Sequence, residues 1–229
     1  MILYLPWSIY FNFRYLPWRQ AIKLPIMLCK PTFRALNGSV KITSSNIKTA
    51  MIQLGNHDVS IYRKNGILLE INGNIVFEGS CRLGSGTCLA VGASGNLYFS
   101  NGVIATAEFK CVCYHKIEIG KCVTFGWECM VMDTSLHRCT LVHVDGTPYQ
   151  NQNGGFAPVY IGDYCWVAFR SVIMPGTVIS SEKCIIAANS LTNKRYDIKP
   201  YTMLAGIPAK VAREGIWMDR SDDKINYNL

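Results

Sequence analysis

From Phe77 onward the sequence keeps a six-residue beat. FEGSCR, LGSGTC and LAVGAS run on from residue 77. After a slip come VIATAE and FKCVCY, after another IGKCVT, FGWECM and VMDTSL, and after an interruption IGDYCW, VAFRSV and IMPGTV. The first position of each hexad is Ile, Leu, Val or Phe, and the second is often Gly or Ala. The fifth is small: Cys81, Thr87, Ala93, Ala107, Cys113, Val123, Cys129, Ser135, Cys165, Ser171 and Thr177. Alternate residues of a strand share a face, so positions one and five both point inward from a short strand. A bulky residue at one and a small one at five fill a narrow prism walled by strands. Glycine is expected near its corners, where a sharp bend demands positive φ. Coils stacked about 4.8 Å apart then satisfy one another's backbone groups. Eleven hexads under the same two rules specify an all-β fold, a parallel β-helix. The period leaves its handedness open.

The beat also accounts for the cysteines. Ten in 229 residues would suggest a disulfide scaffold in a small secreted protein, but this chain is neither small nor visibly secreted. No C-x-x-C occurs. Four of the ten stand at the small inward position, where a thiol acts as a compact hydrophobe. Packing is their expected role, and no zinc site is expected.

Charge is uneven along the chain. Seven of the 23 basic residues precede Asp58 (Arg14, Arg19, Lys23, Lys30, Arg34, Lys41 and Lys48), and none of the 15 acidic ones does. Trp7, Tyr10, Phe11, Phe13, Tyr15 and Trp18 lie among them, and YLPW occurs twice. Such a segment either packs its aromatics on the main domain or meets a membrane surface through residues 1–34. No run reaches the roughly 18 apolar residues of a membrane span, and the apolar start lacks a charged leader and a cleavage site. The expectation is a cytoplasmic protein, open to contact with the inner face of the membrane. Three parts are expected: 1–64, a basic aromatic segment with the first irregular coils; 65–205, the β-helix with a projecting loop at 138–158; and 206–229, a short C-terminal tail.

Residues 161–213 add a resemblance. IGDYCWVAFRSVIMPGTVIS, IIAANS and AGIPAKVAR are similar to the C-terminal half of the hexapeptide-repeat acyltransferases, and within them most similar to sugar and polysaccharide O-acetyltransferases. The resemblance covers roughly residues 65–215. It implies a left-handed β-helix, a homotrimer, and transfer of an acetyl or other acyl group from coenzyme A to a hydroxyl or amine. The run RCTLVHVDGTPYQNQNGGFAPVY between the hexad blocks cannot be a coil, and a long insert in a compact domain is usually functional or disordered. By resemblance, that loop closes over the active site of a neighbouring subunit.

His137, in MDTSLH at the root of the loop, matches the family's catalytic histidine. Asp133 is then the nearby carboxylate, expected to contact or orient the acceptor. Relatives often carry a second acid where this chain has Ser135, and an Asn in the preceding coil where GVIATAEFK has none. For coenzyme A the resemblance points to Ala168 beside the pantetheine arm and to Ala188, if the frame slips by one before AANS; a strict six-count selects Ala187. On the slipped frame Lys194 takes the family's late lysine position, and Lys210 and Arg213 match cations near the nucleotide phosphates. Among the other histidines, His57 precedes the recognisable coils, His115 reads as a turn or wall residue, and His143 stands in the loop. A histidine titrating near neutrality suits both halves of the chemistry, taking a hydroxyl proton and returning it to a leaving thiolate. The expected activity is acetyl-CoA-dependent O-acetylation of a saccharide or glycan precursor, with no metal and no nucleic-acid partner. An amine acceptor, a non-catalytic β-helical scaffold, and a zinc carbonic anhydrase needing three histidines are the alternatives.

Overall fold

The computed structural model describes residues 4–57, 59–137, 144–147 and 155–218. Its strands form three sheets of nine, seven and seven members, here called sides A, B and C, and every pairing but the last is parallel. Each turn of chain contributes one strand to each side in order. The first coil is Ile26–Leu28, Pro31–Leu36 and Ser39–Ile42; the seventh is Ile185–Ile186, Leu191–Thr192 and Arg195–Tyr196. An antiparallel hairpin, Thr202–Gly206 with Ala209–Glu214, closes side A. This three-sided parallel β-helix is consistent with the left-handed coil that the resemblance implies.

The inward register is the expected one. Phe77, Leu83, Leu89, Val103, Phe109, Ile119, Phe125, Val131, Ile161, Val167 and Ile173 are all buried. At the fifth position Ala93 and Ser135 depart from the pattern and are exposed, because the chain has already turned a corner there. The prism begins well before the hexads become legible. Coils one and two are built on residues 26–77, and the inserts 43–51 and 57–66 break their period. Burial pushes the Cys113 thiol up to about 12, with the Asp133 charge adding to the shift, so it stays protonated as a packing group.

Glycine takes the expected positive φ at some corners, as at Gly86, Gly102 and Gly176, and has a second part elsewhere. The left-handed corner positions are mostly filled by other residues: Glu108, Glu128, Arg170 and Asn189 between sides A and B, and Cys122, Tyr164 and Lys183 between C and A. In that conformation each N–H reaches the preceding coil, as when Glu128 donates to the Ala107 carbonyl at 2.9 Å and Arg170 to Trp127 at 2.8 Å. Those hydrogen bonds offset a strain of about 1 kcal/mol per residue. Glycine at the second position serves close approach between coils. A Cβ on Gly126 would lie 2.7 Å from the Phe169 nitrogen, and one on Gly162 would lie 2.4 Å from the Ser181 carbonyl oxygen.

Two helices cover the open end, α1 (Leu5–Tyr15) and α2 (Trp18–Ala21). Among the described residues no helix is long and apolar enough to cross a membrane.

Candidate active site

In the fifth coil the corner between sides B and C is opened by the insert. Side B runs through Met130–Met132, and side C resumes only at Val159–Ile161. The break is pinned on both flanks: Thr134 bridges Phe156, and the Ala157 N–H donates to the Asp133 carbonyl at 3.0 Å. A local turn then points the chain outward. The Thr134 hydroxyl accepts the Leu136 N–H at 3.0 Å, Leu136 takes a φ of 62°, and the Ser135 hydroxyl donates to the His137 carbonyl at 2.8 Å. The last inward residues are Asp133 and Thr134, and His137 is exposed just beyond them.

Asp133, expected to contact or orient the acceptor, lies beneath the open corner. It is 0% exposed, and its two oxygens accept the backbone N–H groups of Tyr114 and His115 at 2.8 and 2.7 Å. This carboxylate therefore braces the corner one coil earlier. The brace holds His115, which is exposed and lies with its ring centroid 6.5 Å from that of Phe156. The pairing of Val112 with Met132 and the bond from the His115 N–H to Asp133 hold His115 close to the root of the loop. The coil length of about twenty residues was the available signal for that neighbourhood. His143 lies outside the described residues, as does most of the insert. His57 belongs to a strap over the opposite corner, with Nε2 2.7 Å from the Tyr62 carbonyl.

The residues expected at coenzyme A fall into three places. Ala168 is buried at the corner between A and B, where its N–H donates to the Ile186 carbonyl. Pairing of Val167 with Ile186 stacks Ala168 on Ala187, so Ala188 lies one position further round the corner, level with Phe169. Three hexads span 18 residues, whereas Val167 and its partner Ile186 are 19 apart, so the frame slips by one residue before AANS, as the reading that selected Ala188 supposes. The extra residue is absorbed in the bend at 181–183. Gly126, Ala168 and Ala187 form a column of small residues flanked by the exposed Trp127 and Phe169. Lys194 stands at the B–C corner, two coils beyond His137, exposed and with its ammonium 5.6 Å from the Tyr196 ring centroid. Lys210 and Arg213 are exposed on the closing hairpin, paired with Ala205 and Met203.

Within one chain, then, His137 and Lys194 mark one edge of side B, and Ala168 and Ala187 mark the other. The outer face between them is apolar, carrying half-buried Val112, Met130, Met132, Val172, Met174 and Leu191. Side C by contrast presents Tyr98, Tyr160 and Arg195 with a Lys116–Glu118 ion pair of 3.0 Å. Among the described residues no group of three His, Cys, Asp or Glu side chains converges to hold a metal.

No family model matches the sequence. Solved structures similar to this one include the polySia-specific acetyltransferase NeuO, at 15% identity over 87% of this chain and 92% of that one, with a TM-score of 0.48. The N-acyltransferase AntD from Bacillus cereus is 11% identical over 84% and 90% of the two chains, with a TM-score of 0.45. A maltose O-acetyltransferase from Clostridium difficile is 16% identical over 94% and 86%, with a TM-score of 0.38. At these values the likenesses assign neither an activity nor a ligand to the chain.

Proposed function

We propose that this chain is an acyl-CoA-dependent acyltransferase, acetylating a hydroxyl of a saccharide or polysaccharide precursor with His137 as general base. The carrying observation is the exposed His137 where the braced wall of the fifth coil opens. Around it stand MDTSLH and, further on, the WVA, AANS and AGIPAKVAR stretches of the resemblance. In the reaction the acceptor oxygen bonds to the thioester carbon as the imidazole takes its proton, and the C–S bond then breaks as that proton passes to the thiolate. His115 and Phe156 form the nearest wall for an acceptor, in place of the Asn that sugar-acetylating relatives often carry. The small column Gly126–Ala168–Ala187, with Ala188 beside it, offers flat backbone to a pantetheine arm, and Lys194, Lys210 and Arg213 supply cations for coenzyme A.

A homotrimer with side B turned inward would complete the site. In a three-fold ring the two edges of the inward face meet the edges of its neighbours, so the His137 corner of one copy adjoins the Ala168 corner of the next. The apolar outer face of side B supports that packing. The nine described cysteines are free thiols, which fits a cytoplasmic location.

An acetyl-CoA assay against sugars, nucleotide sugars and lipid-linked glycans tests the reading. His137→Ala should lower turnover by about 10²–10⁴ with little change in coenzyme A affinity, and His115→Ala should raise the acceptor KM. Near-normal turnover in the His137 variant sinks the assignment of the base. A product acetyl group that survives mild alkali would replace the hydroxyl acceptor by an amine.

A further inference from the structure

Helix α1 turns Phe11 and two polar residues toward the protein. Ser8 and Asn12 are fully buried, and both bond the free edge of the first strand on side A. Asn12 Oδ1 accepts the Ile26 N–H at 3.1 Å while its Nδ2 donates to the Ile26 carbonyl at 2.7 Å, and Ser8 Oγ accepts the Leu28 N–H at 2.9 Å. No coil lies beyond that strand, so these groups point along the prism axis and the helix lies across the end. Its opposite face looks away along the same axis. Pro6, Tyr10 and Phe13, at i, i+4 and i+7, form the middle of that face, with Ile9 beside them. Tyr10 and Phe13 are 46% and 52% exposed, and Trp18 and Ile22 in the next turn of chain are 64% and 56% exposed.

An ordinary surface helix keeps polar residues in water, whereas α1 buries Phe11 and is apolar on its outward face as well. Here the outward apolar stripe is bordered by Arg14, Arg19 and Lys23, and no acidic residue precedes Asp58. The Arg19 guanidinium lies 5.8 Å from the Trp18 ring centroid, so the cation and the aromatic share one surface. Tryptophan and tyrosine beside Arg and Lys are the side chains that settle at the boundary of lipid and water. A second copy of the chain would bring two equally basic patches together, which like-charge repulsion opposes.

We propose that this end of the prism docks onto an anionic lipid bilayer. Tyr10, Phe13, Trp18 and Ile22 enter the interfacial layer, and Arg19 and Lys23 meet the lipid phosphates. The helix lies in the plane of the membrane and the prism axis stands away from it. The docking is a property of the cap and is independent of the acyl-transfer reading.

Co-flotation of the full chain with vesicles tests this. The chain should float with phosphatidylcholine–phosphatidylglycerol vesicles, far less with phosphatidylcholine alone, and should be released by salt. Tyr10→Ser, Phe13→Ser and Trp18→Ser together should cut the partition coefficient about tenfold or more, and Arg19→Gln with Lys23→Gln should cut it about tenfold on anionic vesicles only. These side chains are exposed, so an unchanged melting temperature shows that the variants remain folded. The proposal is overturned if the wild-type chain stays unbound, or if the triple variant binds equally well. It is also overturned if sedimentation shows copies pairing through the patch with no uptake by vesicles.

Discussion

Two corners of the fifth coil are a few residues apart in sequence and opposite in construction. Between sides A and B, Glu128 accepts from the Tyr62 hydroxyl and the Arg170 Nε, both at 2.7 Å, and Asn65 reaches Glu108 at 3.1 Å. The strap of residues 57–66 thus ties coils two, four, five and six together by side chains on the surface. Among the described residues, the equivalent corner between sides B and C has no such knot. It is braced from beneath by buried Asp133, and the chain departs to the loop. A coil whose every backbone group pairs with its neighbours lets each corner vary separately. A surface network closes one corner, and a buried carboxylate allows the other to open without loss of the wall.

The contrast predicts unequal responses to mutation. Asp133→Ala removes two charge-assisted hydrogen bonds and leaves the N–H groups of Tyr114 and His115 without their acceptor, so it should cost about 3 kcal/mol in a denaturant titration. It should also depress activity by displacing His115 and the root of the loop. A loss below 1 kcal/mol would mean that the open corner does not depend on its brace. Gly126→Ala places a methyl against the backbone of Phe169 and should cost about 2 kcal/mol; a neutral result would show that the strapped corner can yield.

The smallest effect concerns protons. Burial first, and then the hydrogen bond to Glu128, push the Tyr62 phenol up to about 12. A group whose value is raised on folding stabilises below its unfolded value, so this contribution is full below pH 10 and is lost as pH rises from 10 through about 12. Ultraviolet titration of Glu128→Gln should show one tyrosine ionising earlier than in the parent. Unchanged curves would remove Tyr62 from the knot.

These differences also mark what could be read from residues alone. Burial of Phe77, Leu83, Phe109, Val131 and Ile173 follows from strand alternation, which acts locally and so leaves its imprint at every sixth position. The A–B knot was hidden because Tyr62, Glu128 and Arg170 meet only after three coils have stacked. The role of Asp133 was hidden for a related reason. A carboxylate beside a histidine in sequence suggests joint chemistry, whereas its partners are amides one coil away, at Tyr114 and His115. Glycine's part was half legible because positive φ, as at Gly86 and Gly176, and close approach, as between Gly162 and Ser181, both favour it. His137 was legible because an imidazole at an apolar beat contradicts packing, and its exposure agrees with that reading. The catalytic role assigned to it waits on the His137→Ala assay.

The bonds from Ser8 and Asn12 to the first strand have one more consequence. An uncapped β-helix ends in a row of free N–H and C=O groups that would accept another strand as readily as a further coil, so prisms could join end to end into fibres. Asn12 answers both the donor and the acceptor of Ile26 with a single side chain, and the Ala209–Glu214 strand covers the far end of side A with antiparallel pairing. The chain therefore carries its own stop signals for polymer growth, and loss of the Asn12 amide would be felt first as filament formation.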